Sequence, residues 1–201
     1  HFWQTRYSTN DSMWPPKRLE GYQTDALTTL TLDYLSNRKG ANDEPWFHVL
    51  SLETPHHGSD RNNVASVTIG DYTHTRHPAP EEYEKRFPAE NIELRDNVPE
   101  HFGEIARSQQ AQYAAMIANL DDNIGKLLEW LDDSSFADNT IVVFFSDHGE
   151  MGGSHGLFQK CAPYGESLRI PLLFRLPPRH RNGKVVRAPA SLVDLLPTCA
   201  T

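Results

Sequence analysis

The residues best able to do chemistry lie in one stretch, Asp147-His148-Gly149-Glu150, which runs on into Met151-Gly152-Gly153-Ser154-His155-Gly156. It follows the apolar run TIVVFFS at Thr140–Ser146, which the pattern predicts as a strand buried on both faces of a sheet. In open α/β sheets, ligands bind beyond the carboxyl ends of strands. A carboxylate there offers a hard oxygen and an imidazole a borderline nitrogen, and glycines let the backbone turn sharply. Calcium, magnesium, manganese and zinc all accept such donors. On spacing alone, a metal pair and a plain turn, capped by Asp147 with a loop histidine at 148, stand level.

Other elements must position this stretch. Residues 1–22 read as irregular, with Pro15-Pro16 breaking any regular element. Leu27, Leu30, Tyr34 and Leu35 predict a helix over Thr24–Asn37, capped by Thr24 or Asp25. A turn follows at Arg38–Pro45, and WFHVLSL at Trp46–Leu52 predicts a short buried strand that ends in Pro55-His56-His57. Residues 58–106 hold Pro78, Pro80, Pro88 and Pro99 and read as a long irregular excursion of the kind that helps build a site. Tyr113, Met116, Ile117, Leu120, Ile124, Leu127, Leu128 and Leu131 predict one apolar stripe on a helix over Ser108–Leu131. Pro171–Leu176 is a further strand, and Ser191 and Asp194 stand in capping-box spacing at a helix start. Strands alternating with helices predict an α/β layered domain without an internal linker.

The 201 residues carry 19 basic and 27 acidic side chains, a net charge of −8, which argues against nucleic acid as a partner. No run approaches the length of apolar sequence that spans a bilayer. The chain opens on His1 rather than Met, so it reads as a processed product or a fragment, and its targeting stays open. Cys161 and Cys199 are too few for a disulfide framework, though one bridge between them is possible.

The run SDHGEMGGSHGLFQKCAPYGESLRIPLLFRLP resembles the sulfatase family of the alkaline-phosphatase superfamily in Asp147-His148-Gly149, His155-Gly156, Lys160, Tyr164 and Arg169-Ile170-Pro171. Gly165 departs from the family's usual Glu, which stands one place later at Glu166. Four more segments are similar to the family in the same order: Gly21–Leu27, Leu50–His57, Tyr113–Gly125 and Ser191–Thr198. The resemblance implies a layered α/β/α sandwich of alkaline-phosphatase/sulfatase type, incomplete here, with residues 1–201 as a partial catalytic domain.

The resemblance also implies roles. Asp147 and His148 become metal ligands, His148 standing where Asn is common. Lys160 holds a sulfate oxygen, and His56 contacts the sulfate or protonates the leaving group. His155 becomes a substrate-pocket residue, His57 a neighbour that supports His56, and Asp121 a helix-packing residue. The expected cofactors are a divalent metal, calcium by analogy with manganese or zinc open, and a formylglycine made from Cys or Ser in Cys-x-Pro/Ala-x-Arg. Cys161-Ala162-Pro163-Tyr164-Gly165 mimics that motif but has Gly165 where Arg is required, so the nucleophile and the Asp-Asp metal ligands are expected upstream of this chain. The expected substrate is a sulfate ester of a sugar or an aryl group, with a periplasmic or extracellular location by family. A phosphodiesterase or phosphonate monoester hydrolase of the same superfamily, or a non-catalytic domain keeping the fold, are the alternatives. An incomplete sheet predicts self-association of the chain.

Overall fold

The computed structural model describes residues 2–3, 5–9, 12–37, 45–57, 66–69, 72–75, 78–160, 162–180 and 183–200. They form two compact units. The first takes residues 1–135 together with 152–157, and the second takes 136–151 and 158–201.

In the first unit the N-terminal segment is an antiparallel hairpin, β1 (Arg6–Thr9) with β2 (Ser12–Arg18), pairing Arg6 with Arg18 and Tyr7 with Lys17. The irregular reading of this region is therefore corrected. Pro15-Pro16 sits within β2, whose only ladder partner among the described residues is β1, and an edge strand tolerates proline. Helix α1 (Gln23–Ser36) follows the predicted bounds within a residue. Its start has no side-chain cap; the Phe2 carbonyl accepts the Gln23 N–H at 2.6 Å. Thr24 instead shares a buried hydrogen bond with the Thr54 hydroxyl at 2.6 Å.

Residues 46–52 run without a strand partner among the described residues, and their exposure alternates, Phe47 being 90% exposed. The buried strand expected there is thus an extended, unpaired segment. The excursion over 58–106 carries more structure than its prolines suggest. It holds the antiparallel pair β3 (Ser66–Ile69) and β4 (Tyr72–Thr75), the short helix α2 (Glu81–Glu84) and two 3-10 turns. The turn predicted at 38–45 and the residue Cys161 lie mostly or wholly outside the described residues.

The long helix α3 (Gly103–Asp132) begins five residues earlier than its apolar pattern. Its buried face takes in Met116 and Leu131 of the predicted stripe but departs from the rest: Ile105, Gln109, Asn119 and Asn123 are buried as well, while Ile117 is 42% exposed. The reason is polar. Asn119 and Asn123 both donate to Asp25 Oδ1, at 2.9 and 2.7 Å, so a carboxylate on α1 satisfies two buried amides on α3. Phe2, Tyr22, Ala79, Ala115 and Met116 form the core beside this cluster, with Tyr83 and Phe87 against it. Phe2 stacks on Tyr22 with ring centroids 5.7 Å apart. Burial pushes the Tyr22 phenol up to about 12, which keeps the proton that it donates to the Pro78 carbonyl at 3.0 Å.

In the second unit β5 (Val142–Phe145) pairs antiparallel with β6 (Leu172–Arg175), joining Val142 to Arg175 and Phe145 to Leu172. The strand is shorter than predicted and is not buried on both faces: Phe145 is 45% and Leu173 57% exposed. Two short helices complete the unit, α4 (Gly165–Leu168) and α5 (Leu195–Ala200). The capping box of Ser191 and Asp194 is present, closing the 3-10 turn that leads into α5. Cys199 is an exposed free thiol.

Replacing Asp25 by Ala removes the carboxylate to which both amides donate, while Asn123 keeps its bond to the Asn119 carbonyl. A buried polar group left unpaired costs about 1–3 kcal/mol. Asp25→Ala is expected to lower unfolding free energy in urea by about 2–4 kcal/mol, whereas a loss below about 0.5 kcal/mol would refute the role of this carboxylate.

Candidate active site

The second unit presents Asp147 and His148 just after β5, in a turn held by its own backbone. Ser146 Oγ donates to the His148 carbonyl at 2.6 Å, and the His148 N–H donates to Asp147 Oδ1 at 3.0 Å. The Gly149 N–H donates to the Ser167 carbonyl on α4 at 2.8 Å. A Cβ at 149 would overlap the Glu166 carbonyl, so only glycine lets the turn lie against α4.

The same turn sets the chemistry of the imidazole. His148 Nδ1 lies 2.8 Å from the Gly149 carbonyl, which can only accept, so in the neutral ring Nδ1 carries the hydrogen. Nε2 then keeps its lone pair, 3.6 Å from Asp147 Oδ2. Two ligands of one ion, each about 2.0–2.6 Å from it, lie no more than about 5 Å apart. The donor set therefore fits a shared divalent cation, and a backbone carbonyl fixing the other nitrogen is the usual support of a ligating histidine. Asp147 is 83% exposed at its side chain and His148 32%, which leaves the pair open to solvent. No group of three or more His, Cys, Asp and Glu residues able to hold a metal occurs among the described residues.

Lys160 belongs to the same unit. The chain leaves the pair at Glu150 and returns at Gln159, where Glu150 Oε1 accepts the Gln159 N–H at 2.5 Å and the Gln159 carbonyl accepts the Met151 N–H at 2.8 Å. This closure sets Lys160 directly beside a segment that begins three residues after Asp147. Sequence reasoning passed over Glu150, although its place in the motif was the available signal.

The remaining predicted residues belong to the first unit. His56 is exposed, its Nδ1 lies 2.9 Å from the His57 carbonyl, and its ring packs on that of His57 with centroids 4.3 Å apart. By the same logic as for His148, Nε2 of neutral His56 carries the lone pair. Asp121 is exposed on α3; its neighbour Asp122 accepts the Tyr83 hydroxyl at 2.8 Å, and Asn123 is the buried member of the Asp-Asp-Asn run. His155 sits in a left-handed turn with φ 57°. That turn rests on residues the sequence did not single out. Gln110 donates to the Gly152 carbonyl at 3.1 Å, and Arg95 donates to the buried Ser154 hydroxyl at 3.1 Å. A Cβ at Gly153 would come within 2.7 Å of the Ala106 methyl.

The strand-end Asp-His pair thus sits in a glycine-bound turn that could offer two donors to a divalent cation. The chain belongs to the sulfatase family, whose profile matches residues 2–201. It is 34% identical over 166 residues to an ulvan-active sulfatase of Formosa agariphila, covering 80% of this chain and 29% of that protein. Its structure is similar to that of yidJ from Bacteroides fragilis, with a TM-score of 0.70, 25% identity, and coverage of 88% of this chain and 36% of the other. The phosphonate monoester hydrolase of Agrobacterium radiobacter shares the fold at a TM-score of 0.58 and 22% identity, over 86% of this chain and 36% of its own. The chain thus spans about a third of the length of these relatives.

Gly149→Ala is expected to unseat the turn from α4 at a cost of about 2 kcal/mol and to weaken divalent-ion binding at Asp147-His148. Ion titration followed by calorimetry checks this, and unchanged affinity would show that the α4 contact does not hold the pair.

Proposed function

We propose that these residues form part of a sulfuric ester hydrolase in which Asp147 and His148 hold a divalent cation and Lys160 and His56 meet the sulfate ester. The observation that supports it is the pairing of Asp147 Oδ2 with the lone-pair nitrogen of His148 at 3.6 Å, in a chain of the sulfatase family. The bound cation would neutralise charge on the sulfate oxygens. By analogy it is calcium, and the imidazole donor keeps manganese and zinc open.

The chain's own residues supply the rest. The Lys160 ammonium binds a sulfate oxygen as a point charge. His56 must hold a proton on Nε2 to pass it to the leaving-group oxygen, and the His57 carbonyl keeps Nδ1 as the fixed nitrogen while it does so. The nucleophile, a formylglycine, is supplied by polypeptide outside these 201 residues. The substrate is a sulfated sugar or an aryl sulfate.

A pair of matched sulfate and phosphate monoesters tests the reading on the longer enzyme. Sulfate turnover is expected to exceed phosphate turnover, and Asp147→Ala is expected to lose the bound cation and at least about 100-fold in kcat/KM. Preferential phosphate or phosphonate turnover would move the enzyme to the phosphonate hydrolase class. No bound divalent ion and an inert Asp147→Ala would reduce the fold to a non-catalytic role.

Residues 1–201 alone are expected to self-associate through the exposed β5–β6 ribbon, where Phe144, Phe145, Leu173 and Phe174 are 37%, 45%, 57% and 38% exposed. Sedimentation showing a monodisperse monomer at tens of micromolar would contradict this.

A further inference from the structure

The turn at 152–157 holds an inconsistency that glycine chemistry alone does not resolve. Gly152, Gly153 and Gly156 all take positive φ, at 55°, 95° and 73°, which costs glycine little. His155 takes φ 57° and ψ 20° between them, a left-handed conformation that favours glycine. Glycine would fill that position at lower cost, and His155 stands there instead.

One residue restrains it twice. The Asn97 carbonyl accepts the His155 N–H at 2.8 Å, and the Asn97 side-chain amide nitrogen lies 3.2 Å from His155 Nε2. The first bond suffices to hold the backbone; the second acts on the ring. An amide nitrogen can only donate, so Nε2 accepts and the neutral ring carries its hydrogen on Nδ1. Arg95, two residues earlier on the same segment, donates to the buried hydroxyl of Ser154 and fixes where Asn97 falls. The end of the 58–106 excursion is thus built against this turn, and His155 itself remains exposed at its surface.

We propose that Asn97 is a positioning residue for the hydrolase: it holds the imidazole of His155 in one orientation and one tautomer, and activity depends on that state. The proposal rests on the sulfatase reading above and extends it to a residue outside the motif. A merely structural Asn97 would support the turn through its carbonyl, and its side chain would be replaceable.

The longer enzyme, assayed on a chromogenic aryl sulfate, separates these cases through Asn97→Ala, Asn97→Asp, His155→Ala and the Asn97→Ala/His155→Ala double variant. Each single substitution is expected to lower kcat/KM about 10-fold, and the double variant to be no worse than His155→Ala alone, because both remove the same interaction. Asn97→Asp has nearly the shape of Asn and keeps the backbone bond, but its carboxylate cannot donate to Nε2; it is expected to lose activity with an unchanged melting temperature. Nitrogen-15 spectra of histidine-labelled enzyme should show the Nδ1–H form of His155 in the wild type and its loss in Asn97→Asp. Additive losses, a fully active Asn97→Asp, or an Nε2–H ring in the wild type would each overturn the role of Asn97. A wild-type enzyme with no sulfatase activity would instead overturn the functional reading, and the nitrogen spectra would still decide the tautomer.

Discussion

The contact between the Gly149 amide and the Ser167 carbonyl constrains everything that the second unit offers to chemistry. It ties the turn after β5 to α4, and it does so at a distance that leaves no room for a side chain. Once the turn is held there, His148 has little choice: its Nδ1 meets the Gly149 carbonyl, and its other nitrogen is left with a lone pair next to Asp147. The protonation pattern of the neutral imidazole is in this way set by backbone geometry rather than by a neighbouring charge. Nε2 keeps its lone pair without a second acidic residue to orient the ring.

A parallel device appears twice in the first unit. His56 turns Nδ1 to the next residue's carbonyl, as His148 does, while His155 presents Nε2 to an amide donor. Three histidines therefore have assigned tautomers, each fixed by a neutral amide group. Neutral partners orient these rings without adding charge to a chain whose net charge is already −8.

Much of this was legible from residue types. The strand end, the Asp-His-Gly turn and the capping box at Ser191 each follow from local rules, and each lies where its spacing placed it. What escaped were interactions between distant segments. Asn119 and Asn123 stand outside the predicted apolar stripe, yet they belong to the buried face of α3, where Asp25 receives them. The i, i+4 spacing of two asparagines was a signal, but its partner lies 94 residues away from the first of them. Asn97 likewise stands in a proline-rich stretch with no periodicity, and nothing local links it to His155. The hairpin of β1 and β2 was missed for a different reason: proline was weighed as a breaker, while an edge strand with one partner has ladder positions to spare.

The exposed apolar surface carries its own physical argument. Phe47 at 90% exposure and Val49 at 65% alternate with half-buried neighbours, the pattern of a strand whose outward face meets no cover among the described residues. The β5–β6 ribbon shows the same excess on a two-stranded sheet, a form that is marginal by itself in water. Burying such side chains is worth about 1.5–3 kcal/mol each, against about 0.5–1.5 kcal/mol for a typical hydrogen bond of the turn around Asp147. Those hydrogen bonds choose which nitrogen of His148 keeps its lone pair, and covering the apolar faces of the strands would stiffen the turn that they carry.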